Sequence, residues 1–181
     1  EEGKYHVIVQ KGTESNSGAR ISESSNKKLT MIVFDGDLDK AIASFIIANG
    51  AATFGKEVVM FFTFWGLNLI RKDQNVKVKK NLIEKMFGMM MPRGASKQGL
   101  SHMNMMGMGP IMIKSIMKSK NVFSVQKLME DAQKAGVRFV ACTMSMDVMG
   151  IKKEELIDGV EFAGVGAYLG EADTAGINMF I

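Results

Sequence analysis

The chain of 181 residues has a single cysteine, Cys142, and so cannot close an internal disulfide. That excludes a disulfide-stapled secreted scaffold, fits a reducing cytoplasm, and leaves one free thiol to be explained. Histidine is nearly as scarce. His6 lies in a predicted N-terminal strand and His102 in a methionine-rich segment. Neither supplies a base for Cys142, which argues against a Cys–His hydrolase. No apolar run is long enough to span a bilayer: the longest, "AIASFIIANGAATFG", is short and carries Asn49 in its middle. The first residues are acidic, with no hydrophobic run behind a basic one, so no secretory leader is expected. Together these absences predict a cytoplasmic location.

The composition is otherwise that of a globular domain with a real core: 46% hydrophobic and 23% charged residues. The net charge of +4 is unevenly spread. Between Arg71 and Lys120 eleven Lys or Arg stand against Asp73 and Glu84, a local balance of +9 that leaves the remainder near −5. With little aromatic interleaving and no recognisable module, this basic stretch does not read as a nucleic-acid site. A solvated face, or a docking surface for an acidic partner, is the expected role.

The periodicity predicts an α/β fold. "YHVIVQK" alternates as a strand, so residues 1–12 read as the tail of a preceding domain, and the polar, Ser-rich residues 13–28 as a linker. From 29 to 181 the pattern is regular. "LTMIVF", "EVVMFFTF", "VRFVAC", "VEFAGV" and "INMFI" read as five strands. Continuous apolar runs of this kind suit parallel strands covered on both faces. Between them, "LDKAIASFIIANGAATFG" reads as a buried helix with Asp37 as its N-cap, and "SVQKLMEDAQKAG" as an amphipathic helix capped by Ser124. "MSMDVMGIKKEELI" is predicted helical and broken near Gly150, and "GAYLGEADTAG" is a short helix. Strand–helix alternation predicts a three-layer α/β/α architecture around a mostly parallel five-stranded sheet. Residues 66–122 interrupt it. This basic segment contains ten of the seventeen methionines, is broken by Gly and Pro, and is expected to be a helical insertion packed over the sheet edge or against a neighbouring subunit.

Ligands of open parallel sheets bind beyond the carboxyl ends of the strands. The residues predicted there are Asp35, Gly36 and Asp37 after the first strand, and Thr63, Phe64 and Trp65 after the second. The third gives Cys142, Thr143 and Ser145, and the fourth Gly164 and Gly166. Cys142 thus stands at a strand-to-helix junction, where free N–H groups and the helix dipole favour a thiolate and where Thr143 and Ser145 could add hydrogen bonds. The plainer reading, a cysteine acting as a small buried hydrophobe, weighs about equally. Asp35 and Asp37 read as a turn and a cap ahead of a metal pair, and no metal or cofactor is expected. "DGDLD" is acidic where a flavin-phosphate loop would need hydroxyls and glycines, and "GVGAYLG" has the wrong spacing for a dinucleotide fingerprint. The thioethers of Met103, Met105, Met106 and Met108 suit Cu(I) less well than adaptable apolar packing. Residues 103–120 also carry a basic amphipathic pattern consistent with peripheral membrane contact, although packing in a homo-oligomer is more economical.

Two stretches, "GDLDKAIASFIIANGAATFGKEVVMFFTFWGLNLIRK" and "GVRFVACTMSMDVMGIKKEELIDGVEFAGVGAYL", resemble the DsrE/DsrF-like sulfurtransferase family, in its DsrE-two, peroxiredoxin-like branch. The likeness runs from Lys28 to Ile181 and is most specific at "CTMSMDVMGI". It implies a DsrE-like (flavodoxin-like) α/β/α fold, homo-oligomers, and a sulfur relay in which Cys142 carries persulfide or thiosulfonate sulfur and exchanges it with a TusA-like or rhodanese partner. Phe64 and Trp65 would then shield the reactive sulfur. "EEGKYHVIVQKG" resembles the closing strand of a TusA-like domain, which implies the C-terminal part of a disulfide reductase–rhodanese–TusA–DsrE fusion. A peroxidase role is poorly founded, because the chain holds no resolving cysteine. The alternative from another class is a non-catalytic oligomerisation or membrane-docking module with a structural cysteine.

Overall fold

The computed structural model describes residues 27–181. The expected N-terminal strand and nearly all of the expected linker lie outside them. Five strands, β1 (Lys28–Val33), β2 (Glu57–Phe62), β3 (Arg138–Cys142), β4 (Val160–Ala163) and β5 (Ile177–Phe180), form one sheet in the order β4-β3-β2-β1-β5. Every neighbouring pair is parallel, as the apolar runs predict. The helices are α1 (Leu38–Thr53), α2 (Leu82–Met90), α3 (Met108–Ser119), α4 (Val125–Lys134), α5 (Thr143–Met149) and α6 (Val165–Asp173).

Strand alternation divides the core in two. Met31 and Val33 of β1, Met60 and Phe62 of β2, and Phe139 and Ala141 of β3 point to the face covered by α1 and α4. There Phe45 of α1 meets Phe139 at 5.8 Å and Phe62 at 6.3 Å between ring centres, and Ala41, Ala48, Leu128 and Ala132 close the layer. The intervening residues Ile32, Val59, Phe61, Val140 and Cys142 face the other way, beneath Tyr168 and Ala172 of α6. Burying the first face removes most of the apolar surface from water, each large side chain contributing about 2 kcal/mol. The second face is much smaller.

Local signals end the helices where the sequence places them. Gly55 (φ 74°), Gly136 (φ 82°) and Gly150 (φ 64°) take up left-handed backbone just after α1, α4 and α5. Ser124 caps α4 by accepting from the Lys127 amide at 3.2 Å. Asp37 occupies the N-cap position of α1, but its carboxylate makes no cap bond and pairs with Lys40 at 3.3 Å instead.

The methionine-rich insertion starts later than residue 66. Residues 64–70 form a 3-10 turn that runs on from β2, with Leu67, Leu69 and Ile70 fully buried in the main core. Apolar residues continue one turn past the strand, so this stretch belongs to the sheet's frame. From residue 72 onward the segment is largely exposed; α2 buries none of its residues and α3 only Gly109 and Pro110. It is pinned to α1 by Ser101, whose amide and hydroxyl donate to Asp39 at 3.0 and 2.6 Å. No helix among the described residues is long and apolar enough to cross a membrane.

At the amino ends of the strands, Arg138 forks onto Glu161 at 2.9 and 2.8 Å and reaches Glu171 at 2.7 Å, and Lys28 also pairs with Glu171. Hydrogen bonds from Arg138 hold the Glu161 carboxyl below its ordinary range; those from Lys28 and Arg138 do the same for Glu171. Carboxylates lowered on folding stabilise the protein fully above their unfolded pKa of about 4.3, and that contribution is lost as pH falls through the folded values. The urea midpoint is therefore expected to fall steadily below about pH 4, and Arg138→Gln to make the fall shallower. An unchanged acid limb in that variant would contradict this role.

Candidate functional site

Because the five strands are parallel, their carboxyl ends share one edge of the sheet, and the loops after β1, β2, β3 and β4 gather there. β3 passes into α5 without a loop. Cys142 is both the last strand residue and the N-cap of the helix, with extended backbone at φ −69° and ψ 112°. The predicted strand-to-helix junction is thus present.

The surroundings of the sulfur differ from expectation. Cys142 is 3% exposed and shares the smaller apolar cluster with Val59, Phe61, Val140 and Tyr168. Its side chain makes no capping hydrogen bond to α5. The two hydroxyls expected to support it are engaged elsewhere. Thr143 donates to the Ala163 carbonyl at 3.5 Å, and Ser145 is hydrogen-bonded to Thr63 at 2.7 Å in a buried pair. The reason is alternation: the Cys142 side chain leaves β3 on the α6 face, while Ser145 turns to the end of β2.

The other predicted residues hold the edge together. Asp35 and Asp37 both pair with Lys40, forming a turn tied to α1. Gly36 and Gly66 allow close backbone crossings. A Cβ on Gly36 would stand 2.7 Å from the Trp65 carbonyl oxygen, and one on Gly66 only 2.1 Å from that of Val33. Between them Phe64 is forced to φ 43°, its ring 5.3 Å from that of Phe34, and Trp65 is half-exposed. A non-glycine residue held there is strained, and such strain persists only where neighbours over-determine it. Gly164 is the N-cap residue of α6 and Gly166 lies in its first turn. Thr143 lines a cavity of about 400 Å³ with Asp147, Ile151 and Lys153.

A second group, four ionised side chains, was not foreseen as a unit. Glu155, fully buried, accepts from Arg71 Nη2 at 3.0 Å, lies 3.1 Å from Arg93 Nη2 and also pairs with Lys80. Burial raises the Glu155 carboxyl, but the adjacent Lys80 ammonium and hydrogen bonds from the Lys152 amide and Arg71 outweigh it and hold the group below the usual range. Burial, reinforced by Arg93, pushes the Arg71 guanidinium down from its ordinary value. The basic stretch is therefore not simply a solvated face: Arg71 and Lys80 are turned inward. The sequence signal was Arg71 directly after the buried run "GLNLI"; "KKEEL" offers none for Glu155.

Comparison with known proteins fits this frame. Residues 25–180 match the family described as DsrE/DsrF/DrsH-like. The chain is 54% identical over 155 residues to the uncharacterized protein YrkE of Bacillus subtilis (strain 168), covering 86% of this chain and 97% of that one. It is 42% identical over 159 residues to the sulfur carrier protein DsrE2 of Allochromatium vinosum, covering 86% and 98%. Among solved structures, the ychN protein from E. coli superposes with a TM-score of 0.51 at 10% identity, covering 86% of this chain and 99% of that one, a likeness of fold alone.

Proposed function

The chain belongs to the DsrE/DsrF/DrsH-like family, and on that premise we propose that it is a sulfur-relay protein that carries persulfide or thiosulfonate sulfur on Cys142. What carries the proposal is the position of the only thiol: the junction of β3 and α5, on the ligand-binding edge of the sheet, in a chain closely similar to a named sulfur carrier.

The chemistry needs no resident cofactor. The Cys142 thiolate attacks the outer sulfur of a donor persulfide R–S–SH; the new S–S bond joins Sγ to that sulfur, the donor's S–S bond breaks, and the donor leaves as its thiol. The persulfide on Cys142 passes its outer sulfur to an acceptor thiolate by the same step in reverse. In a thiosulfonate exchange Sγ attacks the sulfane sulfur of a carrier's Cys–S–S–SO3⁻; the new Sγ–S bond brings the SO3⁻ group with it, the carrier's own S–S bond breaks, and the carrier leaves as thiolate. The partners proposed are a TusA-like or rhodanese carrier and, through the exposed Val165, Leu169 and Phe180, a second copy of this chain.

A thiol so deeply buried cannot react without an opening, and α6 is the element suited to move. Nine residues long, it buries only Tyr168, and a Cβ on Gly164, Gly166 or Gly170 would meet nothing within 4 Å. Elements with few buried contacts open locally at small free-energy cost. We place the gate there.

The test is intact-mass analysis after treatment with polysulfide, or with thiosulfate plus a rhodanese. The wild type is expected to gain the mass of one sulfur atom, removable by dithiothreitol, and Cys142→Ser to gain none. A folded wild type that stays unmodified under conditions that load a control carrier would overturn the proposal. A second reading has one observation behind it: Ile111, Met112 and Ile116 of α3 are exposed beside Lys118, which supports peripheral contact with an anionic membrane through residues 103–120.

A further inference from the structure

A cavity of about 630 Å³ opens among the 73–80 loop, α2 and the 91–97 segment, and Cys142 is not part of its lining. Its charged lining is unbalanced. Lys77, Lys80, Lys85, Arg93 and Lys97 face it, against Asp73 and Glu155. The Asp73 oxygens are already taken, accepting from Ser96 at 2.9 Å and Gln126 at 2.6 Å. Among the described residues Glu155 is the only acid ion-paired with Arg71, Lys80 and Arg93, so three cations share one buried carboxylate.

Hydrogen-bonding capacity is left over as well. Arg71 Nε is buried and has no acceptor among the described residues. The Lys80 ammonium, 6% exposed, has three donors, of which its contact with Glu155 can use one, and none forms a well-aligned hydrogen bond. Lys80 and Gly88 both line the cavity, and a Cβ on Gly88 would stand 3.4 Å from Lys80 Nζ and 4.0 Å from Arg71 Nη2. Gly88, in the last turn of α2, keeps that space open. Buried cations with unused donors are costly unless something anionic completes them.

We propose that this cavity binds a divalent tetrahedral oxyanion of the sulfate, thiosulfate or phosphate type, held by Lys80 and Arg93 of its lining, with the buried Arg71 adding positive charge from behind Glu155. An ion of charge −2 cancels the excess, and its oxygens suit a guanidinium fork and a point-charge ammonium approaching from different sides. The wall bears no aromatic ring, only Val76, Val78, Met89, Met91 and Pro92 among its apolar members, so a stacked nucleobase has no platform. Binding here involves no bond change and does not require the thiol, so it stands or falls separately from the sulfur relay.

The experiment is a thermal-shift and calorimetric titration of the whole chain with sulfate, thiosulfate or phosphate, each against chloride at matched ionic strength. A saturable rise in Tm with the dianions, absent with chloride, is expected; the order of affinities among the three identifies the source. Lys80→Met and Arg93→Gln are expected to weaken binding at least tenfold while leaving the ligand-free Tm unchanged or higher, because each relieves repulsion. Gly88→Ala changes no charge, favours the helix, and is expected to keep or raise the ligand-free Tm while weakening binding by filling the cradle. Equal shifts with dianion and chloride would overturn the proposal. So would wild-type affinity in Gly88→Ala together with a lower ligand-free Tm in Lys80→Met, which would make the cluster purely structural.

Discussion

Glu155→Ala is expected to destabilise the protein by about 4 kcal/mol, read as a large fall in the urea midpoint at neutral pH. The carboxylate is fully buried and is the shared counter-ion of Arg71, Lys80 and Arg93. Its loss leaves three cations close together in a site shielded from water, which costs far more than the net contribution of an intact ion pair. It also removes the acceptor for the Lys152 amide at 3.0 Å, which shapes the turn before Leu156. Glu155→Gln keeps the volume and part of the hydrogen bonding, so it should be milder yet still severe. If an oxyanion occupies the adjoining cavity, added sulfate should restore part of the lost stability in either variant, because a ligand bound only by the folded state shifts the unfolding equilibrium. A cost below about 1 kcal/mol would mean that water, not Glu155, solvates these cations.

Gly66→Ala is expected to be nearly as damaging, at about 3 kcal/mol or more, for a steric reason. The added Cβ would lie 2.1 Å from the Val33 carbonyl oxygen and 2.8 Å from its carbon, so backbone, not a pliable side chain, must give way. The same glycine donates its amide to the Phe34 carbonyl at 2.7 Å, binding the end of β1 to the turn after β2. Displacing it disturbs the whole carboxyl edge, including strained Phe64. Gly170→Ala is the control. It lies within α6 with nothing near its would-be Cβ, and exchanging a helical glycine for alanine should stabilise by about 0.5–1 kcal/mol. Thermal denaturation of the two variants beside the wild type separates crowding from any general effect of adding a methyl group.

The frame of the molecule was legible because it rests on periodicity. Continuous apolar runs announced parallel strands, and Gly55, Gly136 and Gly150 marked the ends of three helices, since backbone preference acts over a few residues. The position of Cys142 followed from the same logic. Its environment did not: which face of β3 carries the sulfur, and that Thr143 and Ser145 turn to Ala163 and Thr63, depends on packing between segments far apart in sequence. The start of the insertion was misplaced because Leu67, Leu69 and Ile70 read equally well as an apolar lid and as a continuation of the core. The buried ionic cluster was illegible for a stronger reason. Arg71 and Glu155 are separated by 84 positions, and a run of charges gives no sign of which member will be turned inward.

The claim on which the functional account depends is that Cys142 accepts sulfur although it is buried beneath α6. The most direct measurement is the rate at which intact protein gains one sulfur atom from a polysulfide donor, compared between wild type and Tyr168→Ala. Tyr168 is the one residue of α6 that is buried, and its hydroxyl is 3.3 Å from Thr30 Oγ1. Removing it should ease opening by about 2 kcal/mol and speed loading by roughly thirtyfold, with the sulfur located on Cys142. Loading in neither protein, or equal gain in a Cys142→Ser background, would contradict the account.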